Sequence, residues 1–342
     1  MLGAPAQADG LRIASYNTEF QRKGPGLLLR DILRGEDPQI AAAADVIATV
    51  RPDILALQGF DYDLTGAALA AFVETLSAAG IDYAHSFAAR PNTGVATGID
   101  LDGDGRDDGP RDAQGFGSFS GQGGMAILST FEIVEAEIQD FSNLLWTDLP
   151  GALLPEVDGA PFPSPEAQAV QRLSTTGHWV IPVDVPDLGE VTLLTFHASP
   201  PVFDGPEDRN GRRNHDEIAF WGQFLDGRIG SPPADHFVLL GDANLDPKDG
   251  EGRKEAIRGL LSDPRLQDPG QTSAGAKAAG DARDTVDWDD PDPGNLRVDY
   301  VLPSADWTVT GGGVYWPAPN TSEAETAARA SRHRLVWVDL AR

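Results

Sequence analysis

Cysteine is absent from this chain of 342 residues, and cationic side chains are scarce in it. Without cysteine the fold contains no disulfide, and no thiol indicates the redox compartment. Lys and Arg number 26 against 53 Asp and Glu, so the formal net charge is −27. Because proteins that bind nucleic acid without sequence preference neutralise its phosphates with Lys and Arg, this balance disfavours bulk nucleic acid as a partner. No apolar run approaches the length of a membrane span, and we expect none.

The remaining composition indicates a globular protein with many loops. Hydrophobic residues make up 41% of the chain, which is enough for a sizeable core. Gly (38) and Pro (26) exceed average usage without reaching the level of a disordered chain. The length is high for one average domain but falls within the range of a large sandwich with long loops.

The N-terminus ends a run of small residues with Ala6-Gln7-Ala8, the Ala-x-Ala pattern that closes a secretory signal. We expect residues 1–10 to be the remnant of a removed signal, with an ordinary flexible tail as the alternative. A single domain then covers residues 11–342. On the first interpretation the protein is secreted or periplasmic, and we expect a monomer.

Apolar runs of strand type alternate with segments of helical spacing. The predicted strands are residues 11–16, 53–58, 125–129, 178–185, 191–196, 236–240, 296–302, 307–314 and 334–340. The predicted helices are residues 38–50, 67–79, 214–225 and 253–261. Strands outnumber helices, and helices fall between strand pairs. This order favours an α+β sandwich of four layers, with two packed, mainly antiparallel β-sheets flanked by helices.

Polar residues follow several of these strands, where they can meet at one cleft. His197 and His333 are candidates for acid–base chemistry, because imidazole titrates near neutrality. Asp242 and Asn244 alternate at a strand end, so their side chains point the same way and form a polar cradle for a phosphoryl oxygen or a water. Asn17 adds a second amide after the first strand.

The order of these motifs resembles the endonuclease/exonuclease/phosphatase superfamily, the fold of pancreatic deoxyribonuclease, from Leu11 to Leu340. The motifs are Ser15-Tyr16-Asn17, Phe196-His197, Gly241-Asp242-Ala243-Asn244, Val298-Asp299-Tyr300 and Ser331-Arg332-His333. The resemblance implies metal-assisted hydrolysis of phosphate esters. It further implies that Asp299 supports the imidazole of His333, that Asp242 orients the nucleophile or a second metal, and that Asn244 binds phosphate.

Two acids of the family pattern, both metal ligands in the family, are missing. Gly59 stands where the family has Glu, and Arg332 stands where it has Asp. Since a Mg²⁺ or Mn²⁺ site needs carboxylate oxygens, three hypotheses follow. The protein is an inactive relative, or Arg332 brings a fixed positive charge into the space at Gly59 and binds phosphate, or Asp61 and Asp63 rescue a shifted metal site.

A basic segment follows His197 and contains three arginines in five positions, among them Arg209 and Arg212. These two side chains are candidates for holding an anionic substrate at the cleft mouth. The alternative is a loop anchored by bonds from Arg to carbonyl groups, followed by a helix capped by Asn214.

Acids alternate in residues 100–108 and are followed by glycine, as in the first half of a calcium loop. The candidate ligands are Asp100, Asp102, Asp104 and Asp108, whereas Arg111 stands at the twelfth position and Asp112 is adjacent. We expect either a calcium ion that orders this loop or a solvated acidic turn.

These observations predict a secreted phosphoesterase for a small or lipid-like phosphate ester, with a His/Asp acid–base site and an atypical metal site. The alternative is a catalytically silent member of the family that binds an anionic ligand in the retained cleft.

Overall fold

The computed structural model describes residues 10–289 and 292–342, so most of the tail predicted as a signal remnant lies outside the described residues. Within these ranges the chain forms strands and helices in alternation. The strands are β1 (Leu11–Asn17), β2 (Ile54–Phe60), β3 (His85–Phe87), β4 (Gly124–Ser129), β5 (Glu132–Ile133), β6 (Gln139–Asp140), β7 (Glu156–Val157), β8 (Ala160–Pro161), β9 (His178–Val185), β10 (Gly189–His197), β11 (Phe237–Asp242), β12 (Asp299–Pro303), β13 (Thr308–Val314) and β14 (Val336–Ala341). The helices are α1 (Leu27–Arg34), α2 (Pro38–Val50), α3 (Ala67–Ala78), α4 (Pro165–Val170), α5 (Arg209–Leu225), α6 (Glu255–Leu261), α7 (Ala274–Ala279) and α8 (Ser322–Ala330).

Two large sheets organise the fold. The first has the strand order β13-β14-β1-β2-β4-β3, and the second has the order β12-β11-β10-β9-β5 with β6 also paired to β9. Within both sheets the pairs are antiparallel except for β1 with β2 and β10 with β11. The mainly antiparallel sandwich predicted from the sequence is therefore confirmed.

The core has three apolar layers, which correspond to the four layers of structure. Between the sheets, Ile13 and Ile54 of the first pack with Ile181 and Val238 of the second in one buried cluster. A second cluster lies between the outer face of the first sheet and α1, α2 and α3. A third fills the space between the second sheet and helices α5 and α6. Burial of these faces removes apolar area from water and is the main source of stability.

The two parallel pairs bring the carboxyl ends of β1, β2, β10 and β11 to one edge of the sandwich. A hydrogen bond of 2.8 Å from Asn17 Nδ2 to Asp242 Oδ2 joins the two sheets there. Backbone register places His197 opposite Asp242, and Asp242 opposite Asp299 at the start of β12. Three candidate side chains thus lie on adjacent strands at one level.

The helices differ from the sequence prediction in two ways. Helix α5 begins at Arg209 rather than Asn214, because the arginines of the segment after His197 form its first turn. Helices α1, α4, α7 and α8 were not predicted; α8 is capped by Thr321, whose side chain accepts a hydrogen bond from the Ala324 amide. In the described part of the chain, no helix has the length and apolar character needed to cross a bilayer.

Candidate active site

Asp242 is the centre of the polar cluster at this edge. It is fully buried. Its Oδ2 accepts a hydrogen bond from Asn17 and lies 3.4 Å from His197 Nε2, and its Oδ1 accepts from the Asn244 amide at 2.8 Å. The Asn244 side chain donates to the carbonyl of Ala198 at 2.9 Å, which ties the turn after β11 to the turn after β10. The carboxylate is therefore held by several donors and faces both sheets.

His333 forms a dyad with Asp299. Its Nδ1 lies 3.0 Å from Asp299 Oδ2 and 3.8 Å from Asp242 Oδ2. The Thr285 hydroxyl donates to Asp299 Oδ2 at 2.9 Å and keeps that carboxylate in place. The Trp288 ring meets the imidazole edge to face, with centroids 5.7 Å apart. A carboxylate behind imidazole fixes its tautomer and stabilises imidazolium, so this dyad is suited to hold a proton.

The two histidines are driven in opposite directions. Burial alone would lower the pKa of His333, but the charges of Asp299 and Asp242 outweigh it and raise the pKa to about 9. Burial lowers the pKa of His197, and Asp242 opposes that effect only in part. Burial and the charge of Asp299 raise the pKa of Asp242. At neutral pH the site therefore holds a cationic His333 beside a neutral His197.

Helix α5 supports this arrangement through polar side chains that are completely buried. Asn214 donates from Nδ2 to the carbonyls of Ser199 and Ala243, one on each turn that carries a candidate residue. Glu217 accepts from the amide and hydroxyl of Ser199 at 2.7 Å. The prediction that Asn214 caps this helix is wrong, because it lies inside α5 and holds these two turns together.

Glu19 is a residue at this edge that the sequence analysis missed. Both of its carboxylate oxygens contact the segment before His333. Oε2 accepts from the Arg332 amide at 2.7 Å, and Oε1 accepts from the Arg332 guanidinium through Nε at 2.9 Å and Nη2 at 2.5 Å. The only available signal was a position two residues after Asn17. That spacing did not show that the acid meets a residue 313 positions away.

The geometry around Gly59 explains why no acid stands there. Gly59 has φ of 68° at an irregularity in the pairing of β2 with β4. A Cβ at this position would lie 2.4 Å from Asn17 Oδ1 and 3.0 Å from the Glu19 amide. A glutamate side chain therefore has no room in this arrangement of the turn after β1. The Mg²⁺ site that the resemblance implies, between acids at positions 59 and 332, does not fit these residues.

Another group of possible ligands lies nearby. Asp242, Asp299 and His333 each place one ligand atom within 4.8 Å of the others, which is close enough for a metal ion. However, the atom that His333 offers toward the two acids is Nδ1, which already faces Asp299. Because a metal ligand must be deprotonated, a metal ion at this group competes with the proton of the dyad.

Asp61 and Asp63 accept hydrogen bonds from other groups, and their rescue of a shifted metal site stays a prediction. Asp61 accepts from the amides of Arg22 and Gly123, one on each oxygen, and burial raises its pKa to about 6. Asp63 accepts from the amides at the start of α3 and from the Thr65 hydroxyl. Among the residues described, neither belongs to a group that can share a metal ion.

The arginines after His197 also have other partners than those proposed for them. Arg209 is buried and donates from Nη2 to Gln171 Oε1 at 2.8 Å. Arg212 reaches the Leu154 carbonyl at 3.4 Å. Arg213, between them and Asn214, donates to several carbonyls of the segments that α5 covers. The alternative of anchoring by Arg-to-carbonyl bonds describes the contacts of this segment, and substrate binding by Arg209 and Arg212 stays a prediction.

The acidic loop differs in membership from the predicted calcium site. Asp100, Asp102 and Asp112 bring carboxylate oxygens within 4.8 Å of one another, whereas Asp104 and Asp108 are not part of that group in the described ranges. Asp112 is buried and accepts from the amides of Leu101 and Gly109. Calcium binding by this loop stays a prediction.

Comparison with known proteins gives a coherent result. A model of the Endonuclease/Exonuclease/phosphatase family matches residues 14–333. Similar solved structures include an endonuclease/exonuclease/phosphatase from Beutenbergia cavernae DSM 12333, with 19% identity, coverage of 97% of this chain and 71% of that chain, and a TM-score of 0.54. An endonuclease/exonuclease/phosphatase family protein from Leptotrichia buccalis C-1013-b has 16% identity, coverage of 97% of this chain and 100% of that chain, and a TM-score of 0.55. Sphingomyelinase C from Streptomyces griseocarneus is also similar, with 18% identity, coverage of 96% of this chain and 99% of that chain, and a TM-score of 0.50. No curated protein matches the sequence. The chain belongs to the endonuclease/exonuclease/phosphatase family.

Proposed function

We propose that this protein hydrolyses a phosphate ester in the cleft at the carboxyl ends of β1 and β11. The observation that carries the proposal is the buried dyad of His333 and Asp299, which lies beside Asp242 and within one polar cluster with His197. The family is shown, and a phosphoesterase is among the similar structures. The net charge of −27 supports a small or lipid-like substrate over bulk nucleic acid. Secretion remains part of this proposal and rests on the N-terminal pattern.

In the proposed reaction a water attacks phosphorus while the bond from phosphorus to the leaving oxygen breaks. Asp242, whose pKa is raised by burial, accepts the proton of the attacking water. The leaving oxygen takes a proton from imidazolium, and His333 is the imidazole held in that form by Asp299. The amides of Asn17 and Asn244 orient Asp242. These groups supply general acid–base catalysis and positioning.

A catalytically silent binding protein is the second candidate, and one observation favours it. Arg332 and Glu19 close the position at which the family resemblance implies a metal ion. A cleft without that ion binds an anion through Arg332 and His333 without requiring turnover.

Kinetics on a monoester, a diester, a phospholipid and DNA, each with EDTA and with added Mg²⁺ or Mn²⁺, separate the two candidates. For a hydrolase, His333→Gln lowers kcat/KM by about 10²–10⁴-fold. The matched control is His236→Gln, since His236 also lies between two aspartates, Asp235 and Asp306, but at the opposite end of β11. The control retains wild-type rates. Absence of turnover under every condition, or equal losses in both variants, contradicts the proposal.

A further inference from the structure

The contact between Glu19 and Arg332 is a closed, directional ion pair at the cleft. The Arg332 guanidinium donates through Nε and Nη2 to one oxygen of Glu19, and its own amide donates to the other. Glu19 is 15% exposed whereas the Arg332 side chain is 62% exposed, so the cation lies on the solvent side of the acid. All three donors belong to Arg332, so the same hydrogen bonds also fix the position of its guanidinium group.

The pair is joined to the catalytic cluster by a short chain of hydrogen bonds. The Glu19 amide donates to Asn17 Oδ1 at 3.1 Å, and Asn17 Nδ2 donates to Asp242. The Ser331 hydroxyl donates to the Asn17 carbonyl at 2.8 Å. These bonds hold the pair of Glu19 and Arg332 at the turn after β1. Arg332 directly precedes His333 in the chain. Arg332 is thereby linked through Glu19 and Asn17 to Asp242, the residue that the proposed function places at the attacking water.

Arg332 retains donors for such a ligand. Its Nη1 makes no hydrogen bond to any residue in ranges 10–289 and 292–342. Guanidinium presents its N–H groups in a planar fork that matches phosphate oxygens, and it stays charged at every working pH. The net charge of the pair also matches that of a metal site. Glu19 and Arg332 together are neutral, and so are two carboxylates with one divalent cation.

We infer that Arg332, held in place by Glu19, is the resident cation of the cleft and binds a phosphate oxygen of the ligand without a divalent metal. The inference rests on the proposed role of the cleft in binding phosphate esters and does not depend on turnover. It also assigns a specific role to Glu19, which is to orient the guanidinium. Removal of the guanidinium leaves the largely buried carboxylate of Glu19 without its counter-charge.

Calorimetric titration with inorganic phosphate in the presence of EDTA tests the first part. We expect the wild type to bind phosphate equally well with EDTA and with Mg²⁺. Arg332→Gln keeps an N–H donor for Glu19 but loses the charge, and we expect its phosphate affinity to fall about tenfold or more, the size of one charged hydrogen bond. The matched control is Arg265→Gln, because Arg265 is a partly exposed arginine paired to Asp263 and Asp226 away from the cleft. Phosphate binding that needs Mg²⁺, or that Arg332→Gln leaves unchanged, overturns the inference.

A gain of function tests the second part. We expect Arg332→Asp to bind Mn²⁺, detected by calorimetry and by electron paramagnetic resonance, since it places a new carboxylate beside Glu19. The double variant Glu19→Gln/Arg332→Asp loses one of the two acids, so we expect its Mn²⁺ affinity to be at least tenfold weaker. Circular dichroism shows that each variant is folded. Mn²⁺ binding by the wild type at this position, or equal affinity in the two variants, contradicts the assigned role.

Failure of this inference and failure of the proposed function give different results. If the wild type binds phosphate in EDTA through Arg332 but hydrolyses none of the tested esters, the hydrolase proposal fails and the inference stands. If hydrolysis requires Mg²⁺ and Arg332→Gln has wild-type phosphate affinity, the inference fails and the hydrolase proposal stands.

Discussion

The two sides of the cleft are built by different means. On the side of the second sheet, His197, Asp242 and Asp299 lie in register on three adjacent strands, and backbone pairing alone sets their spacing. On the side of the first sheet, Glu19 and Arg332 meet across 313 residues of sequence through side-chain contacts. The side of the second sheet carries motifs on which the family resemblance rests, whereas the side of the first sheet carries Arg332, which differs from the pattern that the resemblance implies. A site set by strand register changes little unless the sheet changes, but a site set by side chains can exchange its charges.

On the side of the first sheet, the pair of Glu19 and Arg332 leaves the local charge balanced. Glu19 is largely buried, and an isolated buried carboxylate is costly unless it is paired and hydrogen-bonded. Arg332 supplies both the opposite charge and the hydrogen bonds. Together with Ser331 it satisfies Glu19 and holds the turn after β1 against Gly59. The three residues at positions 19, 59 and 332 therefore form one structural unit.

The largest effect that we expect from disturbing this unit comes from Gly59→Ala. The backbone at Gly59 is left-handed, which costs a residue with Cβ roughly 1–2 kcal/mol. The new Cβ also displaces Asn17 Oδ1 and weakens its link to Asp242, at roughly 1–3 kcal/mol. We expect urea unfolding to show a loss of about 2–5 kcal/mol, with reduced activity.

Gly26→Ala is the matched control for this change. Gly26 has φ of 73°, but a Cβ there meets nothing within 4 Å, so we expect only the conformational part of the cost. Equal losses of stability in the two variants would show that contact with Asn17 has no role. For the same steric reason, we do not expect Gly59→Glu together with Arg332→Asp to rebuild a metal site in this chain. The acid that already contacts position 332 is Glu19.

The dependence of stability on pH tests the dyad of His333 and Asp299. The pKa of His333 is raised to about 9, above the ordinary value of about 6.5, so the folded state holds a proton that the unfolded state releases. This contribution is complete below pH 6.5 and is lost as the pH rises to about 9, by on the order of 3 kcal/mol. We expect the wild type to lose stability across this interval in urea unfolding.

Asp299→Asn is the informative variant for that slope. The charged and titratable groups that act on His333 are Asp299, Asp242 and Glu19, with His197 across the cluster. Removal of the largest of these charges lowers the pKa of His333, and we expect the loss of stability between pH 6.5 and 9 to shrink by at least half. An unchanged slope in the variant would assign the titration to another group.

Sequence reasoning found the parts of the site that follow local rules. Strand ends are marked by polar residues after apolar runs, and this pattern located Asn17, His197 and Asp242 at one edge, where the structure places them. The family resemblance, rather than this pattern, pointed to Asp299, which begins β12 opposite Asp242. Helix α2 was predicted with its observed bounds, because proline at its first position and the Asp37 cap agree with its apolar face. Glu19 escaped, since its role depends on an approach between chain segments that no local pattern encodes.

The arginines after His197 show a different problem, because their residue type suits both an exposed anion site and a buried structural contact. Three cations close together in an acidic chain indicated an exposed anion site, yet Arg209 and Arg213 are buried. Carbonyl oxygens of the covered loops satisfy the donors of Arg213, and Gln171 satisfies Arg209. Residue type alone does not distinguish these uses. The distinction depends on whether carbonyl groups or solvent face the helix, which only the fold decides.

The smallest effect that we expect concerns Arg212, the arginine of that segment that remains partly exposed. Its contact is a long hydrogen bond to the Leu154 carbonyl, and it has no contact with Asp242, His197 or His333. We expect Arg212→Gln to change kcat/KM and phosphate affinity less than twofold, while Arg332→Gln lowers phosphate affinity about tenfold or more. The two variants remove the same charge from the same acidic chain, so any general effect of net charge is equal in both. A loss in Arg212→Gln as large as in Arg332→Gln would show that the cleft attracts anions through its overall potential. A loss confined to Arg332→Gln places the anion at the turn where Glu19 holds the guanidinium.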